Sequence, residues 1–319
     1  MSSRVLLVGP PQVGKTRLGM KMCKEDGFYY LNLDPSRQDI APLSTVSLYA
    51  PGGKSLGFHF IGSLSLWKKP LAAVTALLWG VREANASPLV VEVTLEPTTS
   101  QQTDLYRNLT TLLLPEKIIG IGFEGVGSIL LPHAECRIEV RPPLEGSERR
   151  PENVLTAWRN ACWKTYFTNS KELDISLRDV AFLGARFRSG IPLEVAELNT
   201  LHEMGFKEAS YAEIIGDYLY IVSQEKNGGR KMSNALRFFG CKKGILVHPA
   251  LFRGLIIGLE QANGWHVAVG RIQAMEFDKE MVRILTPIDA EAAISKIHIG
   301  RVRLDPEFRE LGELRAWQV

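Results

Sequence analysis

The chain has 319 residues, of which 45% are hydrophobic and 23% are charged, and its formal net charge is +3. This composition is ordinary for a globular protein and excludes a disordered, collagen-like or disulfide-dominated chain. The length predicts roughly two domains, while the small net charge neither requires nor excludes a polyanionic partner.

The first segment has no long apolar stretch of the kind that marks a signal peptide, and no apolar window reaches the ~18 residues that favour a transmembrane helix. The cysteines are widely spaced and form no C-x-x-C pair; they are Cys23, Cys136, Cys162 and Cys241. Unpaired thiols are typical of a reducing compartment. We therefore expect a cytoplasmic protein with no membrane segment and no cysteine metal site.

In the first half of the chain, short apolar runs alternate with segments whose apolar residues recur at helical spacing. The predicted strands are Arg4–Gly9, Phe28–Leu33, Phe58–Ile61, Pro88–Val93 and Lys117–Phe123. The predicted helices are Lys15–Cys23, Lys68–Ala84, Thr103–Leu114 and one that ends near Phe167. The nearly uninterrupted run at 88–93 is typical of a strand buried on both faces of a parallel sheet. This alternation predicts an α/β fold with a mostly parallel sheet flanked by helices.

The pattern of apolar and turn-forming residues changes in the second half of the chain. Residues 141–151 are polar and rich in proline and charge, which predicts a mobile loop before the helix that ends near Phe167. After about residue 171, short alternating runs lie between Gly, Asn and Asp turns. These runs are Tyr218–Val222, Gly254–Leu259, Trp265–Val269, Val282–Leu285 and Ile297–Leu304. We therefore expect an α/β domain over 1–170 and a smaller, β-rich C-terminal domain over 171–319.

The first chemical motif is Gly9-Pro10-Pro11-Gln12-Val13-Gly14-Lys15-Thr16, which matches G-x-x-x-x-G-K-[ST] in full between an apolar strand and a helix. Its glycines let successive N–H groups face one anion, and the helix N-terminus adds a positive dipole. Lys15 can contact the β- and γ-phosphates, and the Thr16 hydroxyl is a hard ligand for Mg²⁺. The motif, with the adjoining Arg17, predicts a nucleoside-triphosphate site in a P-loop NTPase-type fold. Motors, switches and kinases all share this loop, so it does not identify the phosphate acceptor.

A second motif follows the next predicted strand and runs through Tyr30–Pro42 to Ser44-Thr45-Val46-Ser47-Leu48. It resembles the D-x-D-x-G-Q…P-G-T-V-S-L stretch of the Clp1/Grc3 family of polynucleotide 5′-hydroxyl kinases. Phe58–Ser65, the helix that ends in Tyr166-Phe167, and several stretches between residues 253 and 301 also resemble segments of that family, in the same order. The resemblance covers nearly the whole chain, except that an amino-terminal domain before the P-loop is not expected.

The resemblance implies transfer of the γ-phosphate of ATP or GTP to the 5′-hydroxyl of RNA or DNA. Asp34 matches the family's catalytic Asp, which would accept or orient the hydroxyl proton and help Thr16 hold Mg²⁺. Arg159 is the candidate arginine of a lid over about 145–167, so Lys15, Asp34 and Arg159 are the predicted catalytic residues. The alternatives are that Asp34 is a structural cap or a metal ligand only, and that Arg159 is a solvated charge on a helix face.

Several positions depart from the family pattern. Asn32 stands at the first acidic position, and Ser36-Arg37 replaces Gly-Gln. The T-P-G-W clasp falls at 94–97, where only Thr94 is retained. The lid's second arginine is missing or displaced, because Leu155 and Trp163 stand four residues on either side of Arg159. Three arginines could compensate for it: Arg37, Arg149 and Arg150.

These departures leave an alternative function open, in which the chain is a catalytically weak NTP-binding scaffold of an RNA-processing assembly with protein partners. An unrelated GTPase-like switch is a third interpretation, but the chain lacks an N-K-x-D motif.

Two basic stretches are candidates for a nucleic-acid surface, since single strands are bound by phosphate contacts and base stacking. The first lies within 226–243 and contains Lys226, Arg230, Lys231, Arg237, Phe238, Phe239, Lys242 and Lys243; the second is the turn with Arg186 and Arg188. The alternative for the first is a solvated loop before a strand with two core phenylalanines. Trp158 and Trp163 could stack on a base or pack on the sheet, and the histidines show no metal-ligand spacing.

Overall fold

The structure is a computed structural model that describes residues 3–38, 41–95, 97–225, 228–288 and 293–315. Four residues of the sequence motifs, Asp39, Ile40, Glu96 and Lys226, lie outside the described residues. The chain divides into two compact units, Met1–Trp163 and Lys164–Val319. This division falls shortly before the boundary at 170, which stays a prediction.

The first unit is built on a twisted sheet whose strands lie in the order β4-β3-β2-β5-β1-β6-β7. The strands are β1 (Arg4–Gly9), β2 (Tyr29–Asn32), β3 (Thr45–Ala50), β4 (Lys54–Phe60), β5 (Leu89–Thr94), β6 (Lys117–Ile121) and β7 (Arg137–Arg141). The pairs from β2 to β7 are parallel, and β3 and β4 add an antiparallel hairpin. The helices are α1 (Lys15–Glu25), α2 (Pro70–Ala84), α3 (Ser100–Leu113), α4 (Val126–Leu130) and α5 (Glu152–Tyr166).

The predicted α/β class, with its mostly parallel sheet, is confirmed, and the buried strands lie where the apolar runs indicate. The sequence reasoning missed β3, β7 and α4. Because β7 alternates charged and apolar side chains at the sheet edge, it has no continuous apolar run. The strand predicted at 58–61 begins earlier, at Lys54, since Gly52 and Gly53 both have positive φ and close a hairpin with β3.

The second unit contains two sheets. The larger has the order β18-β17-β14-β15-β16-β8, antiparallel throughout, with β9 parallel to β17. Its strands are β8 (Lys171–Ser176), β9 (Ala181–Leu183), β14 (Leu255–Gln261), β15 (His266–Glu276), β16 (Met281–Thr286), β17 (Ile294–Leu304) and β18 (Glu310–Glu313). The smaller has β10 (Ile191–Pro192), β11 (Ala209–Ile215), β12 (Tyr218–Ser223) and β13 (Lys243–Val247), with helices α6 (Val195–Glu203) and α7 (Gly229–Phe238).

The predicted β-rich character of this half is confirmed, and each of the five predicted strands overlaps an observed one. The prediction of a loop followed by a strand near the phenylalanine pair is wrong, because Gly229–Phe238 is helical. Phe239 packs against the apolar cluster of the smaller sheet, whereas Phe238 is 60% exposed. No helix within the described ranges has both the length and the apolar character needed to cross a membrane.

Candidate nucleotide and phosphate-transfer site

The P-loop connects the end of β1 to the start of α1, and two glycines allow its tight course. A Cβ on Gly9 would lie 2.2 Å from the carbonyl oxygen of Ile121. Gly14 is the residue before α1 and has a φ of 95°, a left-handed conformation that strains any other residue. The loop therefore turns its backbone toward the helix N-terminus, as an anion-binding loop requires.

Lys15 and Thr16 begin the helix and have defined partners. The Lys15 side chain is buried, and its Nζ donates a 2.7 Å hydrogen bond to the Pro10 carbonyl across the loop. The Thr16 hydroxyl donates to Oε1 of Glu92 at 3.0 Å. Both residues line a cavity of about 670 Å³.

The cavity brings together only part of the predicted nucleotide-binding set. Its lining includes Gln12, Gly14, Lys15, Thr16 and Arg17, whereas Gly9, Pro10, Pro11 and Val13 are not among its lining residues. The latter four therefore shape the loop, and the former five face the space that a nucleotide needs.

Asp34 lines the same cavity and is held by two neighbours. Its Oδ2 accepts a 2.7 Å hydrogen bond from the Thr94 hydroxyl, which comes from β5. Its Oδ1 accepts hydrogen bonds from the backbone N–H of Ser36 at 3.0 Å and from the Ser36 hydroxyl at 2.7 Å. The only clasp position that retains the family residue, Thr94, thus orients the predicted catalytic carboxylate.

The turn after β2 is closed by two amide side chains. Asn32 accepts a 2.9 Å hydrogen bond from the Asp34 N–H and donates a 3.2 Å bond to the Arg37 carbonyl. Gln38 is buried and donates a 2.6 Å bond to the Asp34 carbonyl. Asn32 therefore has a structural role at the family's acidic position, and a glutamine is present one position beyond the family's Gln.

Glu92, on β5, is a site residue that the sequence reasoning missed. It is buried, and its carboxylate accepts hydrogen bonds from the Thr16 and Tyr30 hydroxyls. Burial raises the pKa of Glu92 above its ordinary value, while Lys15 lowers it. A single acidic residue inside an otherwise apolar predicted strand was the signal that could have found it.

Besides Arg17, two further arginines bring positive charge to the cavity. Arg37 and Arg150 both line it. Burial lowers the pKa of the Arg37 guanidinium, Asp34 raises it, and Arg150 lowers it further by repulsion. Arg37 therefore lies within electrostatic reach of both the carboxylate and the second arginine. Of the three compensating arginines that the sequence suggests, Arg149 is not among the lining residues.

The side chains of α5 differ in whether they line the cavity. Leu155 and Trp158 line the cavity, while Trp163 is fully buried in the protein. Arg159 is not among the lining residues, and its Nη2 donates to Glu152 at 3.0 Å and to Thr156 at 2.9 Å. The Arg159 side chain is only 13% exposed, so the alternative of a solvated helix-face charge does not describe it.

The segment before α5 lies over the P-loop. The Leu144 N–H donates to the Val13 carbonyl at 3.0 Å, and the Arg150 N–H donates to the Gln12 side chain at 2.7 Å. The Arg17 guanidinium, on α1, donates to the Glu145 carbonyl at 2.8 Å. Three hydrogen bonds thus fix the predicted lid segment against the nucleotide-binding loop.

Two lysines in the described part of the 226–243 stretch form ion pairs. Lys231 forms an ion pair with Glu225 and lies 4.7 Å from the Phe206 ring centroid. Lys242 pairs with Asp217 at 2.9 Å. These contacts neutralise part of the positive charge that the sequence shows as a block.

The two basic stretches meet at one aromatic side chain. Arg186 and Lys243 lie 5.1 and 5.3 Å from the Tyr218 ring centroid. Arg188 has other partners: its guanidinium donates to the Leu177 carbonyl, and its backbone N–H donates to the Glu213 carboxylate. A nucleic-acid surface on this unit stays a prediction.

The chain is similar to known proteins along nearly its whole length, although no family model matches it. The polyribonucleotide 5′-hydroxyl-kinase of Methanocaldococcus jannaschii is 25% identical over 335 residues, covering 98% of this chain and 90% of the relative. The corresponding kinase of Pyrococcus horikoshii is 23% identical, with 97% and 88% covered. That of Thermococcus kodakarensis is 26% identical, with 93% and 84% covered.

A solved structure shares the fold. A chain in the complex of wild-type Clp1p with Pcf11p superposes with a TM-score of 0.53 at 14% identity, covering 94% of this chain and 74% of that chain.

Proposed function

We propose that this chain, whose predicted resemblance to the Clp1/Grc3 family is confirmed by relatives along nearly its whole length, is a polynucleotide 5′-hydroxyl kinase. One observation carries the proposal: Lys15, Thr16 and Asp34 line a single cavity of about 670 Å³. A phosphate-binding loop and a fixed carboxylate therefore face the same space, as transfer to a hydroxyl requires.

The oxygen donors in this cavity fit Mg²⁺. The Thr16 hydroxyl and the Asp34 carboxylate would hold the ion, and the buried Glu92 carboxylate accepts the Thr16 hydrogen bond. Mg²⁺ prefers hard oxygen ligands, only a few of which come from the protein. When bound, the ion neutralises negative charge on the phosphates of ATP or GTP.

The protein's own residues do the rest of the work. Lys15 binds the β- and γ-phosphates from the helix N-terminus. Asp34 accepts or orients the proton of the attacking 5′-hydroxyl, and its bonds with Thr94 and Ser36 keep the carboxylate in one orientation. Such prior fixing removes a reorganisation cost at the moment of transfer.

We assign the charge of the missing lid arginine to Arg37 and Arg150. Leu155, one of the two positions four residues from Arg159, lines the cavity with an apolar side chain. The two arginines reach the same cavity from the turn after β2 and from the lid segment, and Arg159 adds a further charge within electrostatic range of Arg37. Arginine charges on the transferring oxygens stabilise the transition state.

A direct assay tests the proposal. Purified protein is incubated with γ-labelled ATP or GTP and with RNA or DNA oligonucleotides that end in a 5′-hydroxyl. We expect transfer to the polyribonucleotide. Lys15→Ala and Asp34→Ala should each abolish it, while Asp34→Ala largely keeps nucleotide binding. Intact nucleotide binding without transfer, across metals and temperatures, would refute the proposal.

The arginine assignment has its own test. Arg37→Met should lower kcat about 100-fold with less effect on nucleotide affinity, because the guanidinium acts mainly on the developing charge. Arg82→Met is the matched control, since Arg82 lies on α2 and pairs with its neighbour Glu83. An Arg37→Met enzyme as active as the control would contradict the assignment.

A second candidate function is an NTP-binding scaffold of an RNA-processing assembly. The missing clasp Trp and the thinned arginine lid favour it, and the fold neighbour is solved in a complex with Pcf11p. A scaffold would hold nucleotide tightly and co-purify with protein partners without turnover. For either function we propose a cytoplasmic location, because all four cysteines are free thiols.

A further inference from the structure

Three side chains that are distant in sequence converge on the larger sheet of the second unit. Glu260 is on β14, His266 is on β15 and His298 is on β17. In the pairing of β14 with β15, Glu260 lies opposite His266. In the pairing of β14 with β17, Gly258 lies opposite His298. Because Gly258 and Glu260 are two residues apart on β14, all three side chains share one face of the sheet.

The cluster is enclosed and its polar atoms are close. The side chains of His266, Glu260 and His298 are 0%, 8% and 21% exposed. Glu260 Oε2 lies 2.5 Å from His298 Nε2 and 3.9 Å from His266 Nε2. All the candidate ligand atoms lie within 4.8 Å of one another, and no second such group of three or more occurs in the ranges that the structure describes.

The other carboxylate oxygen has a separate partner. Glu260 Oε1 accepts a 2.5 Å hydrogen bond from Lys296 Nζ. The carboxylate therefore has Oε1 on the lysine and Oε2 toward both imidazoles. Ligating carboxylates commonly have such an outer partner that orients them.

The spacing fits a tetrahedral divalent ion. Two histidines and one carboxylate form a known three-ligand set for Zn²⁺, with ligand distances of about 2.0–2.2 Å. Ligand atoms around such an ion are about 3.4 Å apart, by tetrahedral geometry at those distances. The separations of 2.5 and 3.9 Å from Glu260 Oε2 lie on either side of this value. Small side-chain rotations would therefore seat the ion.

We propose that Glu260, His266 and His298 form a Zn²⁺ site that links β14, β15 and β17. Binding replaces the hydrogen bond between His298 and Glu260. A neutral His298 ligates through Nε2 with its proton on Nδ1, and a protonated His298 releases one proton to solvent. Three protein ligands leave a fourth position for water, reached from the side of His298, the most exposed of the three. The site is formed by residues of the second unit alone, so it can be tested without the phosphate-transfer activity.

The test uses untagged full-length protein freed of metal by chelation. It is titrated with Co²⁺ in excess Mg²⁺, so that the nucleotide site does not contribute, and Zn²⁺ is then added to displace the Co²⁺. We expect one Co²⁺ per chain with the visible absorption of tetrahedral coordination. His266→Gln and His298→Gln should each weaken binding at least about tenfold. His248→Gln, which replaces an exposed histidine of the same unit, should bind as the unchanged protein does.

Thermal unfolding provides a second readout. Zn²⁺ should raise the Tm of the unchanged protein and of His248→Gln, but not that of the two ligand variants. A metal-free ion-pair network of Glu260 with Lys296 and His298 predicts instead that Zn²⁺ changes no Tm. That result, absence of Co²⁺ binding by the unchanged protein, or equal binding by all variants would overturn the proposal. If a ligand variant fails to fold, the Co²⁺ spectrum and Zn²⁺-dependent Tm of the unchanged protein still decide.

Discussion

Replacing Glu92 with Gln tests whether the buried carboxylate sets the orientation of the Thr16 hydroxyl. The wild-type carboxylate accepts from Thr16 with one oxygen and from Tyr30 with the other. Glutamine has one acceptor oxygen and an NH₂ group, so one hydroxyl loses its acceptor. The Tyr30 side chain is fully buried and has no access to water, whereas Thr16 faces the cavity. We therefore expect the amide oxygen to serve Tyr30 and the Thr16 hydroxyl to turn.

The magnitude follows from that single lost bond. A hydrogen bond to a charged group contributes about 1.5–3 kcal/mol, and removing a buried charge offsets part of the stability loss. If the Thr16 lone pair is diverted from Mg²⁺, about 1.4–2.8 kcal/mol of transition-state stabilisation disappears, which corresponds to a roughly 10- to 100-fold lower rate. Nucleotide affinity without Mg²⁺ should be unchanged or tighter, because a negative charge near Lys15 is gone.

The assay measures phosphate transfer as a function of Mg²⁺ concentration. Glu92→Gln should lower the maximal rate and raise the Mg²⁺ concentration that gives half of it. Tyr30→Phe is the matched control, since it removes the other hydrogen bond and leaves that of Thr16 in place. A folded Glu92→Gln protein with the wild-type rate and Mg²⁺ dependence would refute the reasoning.

Three further outcomes are expected. Gly14→Ala should destabilise the protein more than Gly27→Ala in denaturant unfolding, because both have positive φ but only the first Cβ would meet another side chain, at 2.7 Å; equal losses would contradict this. Trp158→Ala should raise the KM of the acceptor oligonucleotide about tenfold by loss of stacking, whereas Trp163→Ala should cost about 3–5 kcal/mol of stability. Hydrogen bonds from Arg141 and then Lys117 lower the pKa of Glu139 to about 2. Its stabilising contribution is therefore present above about pH 4.5 and lost toward pH 2, so Glu139→Gln should lose less stability over that interval; parallel acid-unfolding curves would count against it.

The sequence predicts those parts of the molecule whose determinants are close together along the chain. The P-loop is one run of eight residues between a strand and a helix, and its glycines, Lys15 and Thr16 lie where the motif places them. Buried strands such as β5 are recognisable by a nearly uninterrupted apolar run, in which Glu92 is the only charged residue. The surface helix α7 is harder to predict from the sequence, because its apolar residues are few and the adjacent Phe238 and Phe239 favour a strand.

The sequence by itself thus determined the α/β class, the nucleotide-binding loop and the family resemblance, because periodicity, motif and order are local properties of the chain. Only the tertiary structure decided which side chains meet. Asp34 is bonded to Thr94, and Thr16 to Glu92, through contacts that span 60 and 76 residues of sequence. The cluster of Glu260, His266 and His298 likewise depends on the register of three strands. Strand order and register create such contacts, and neither is encoded in the spacing of the residues themselves.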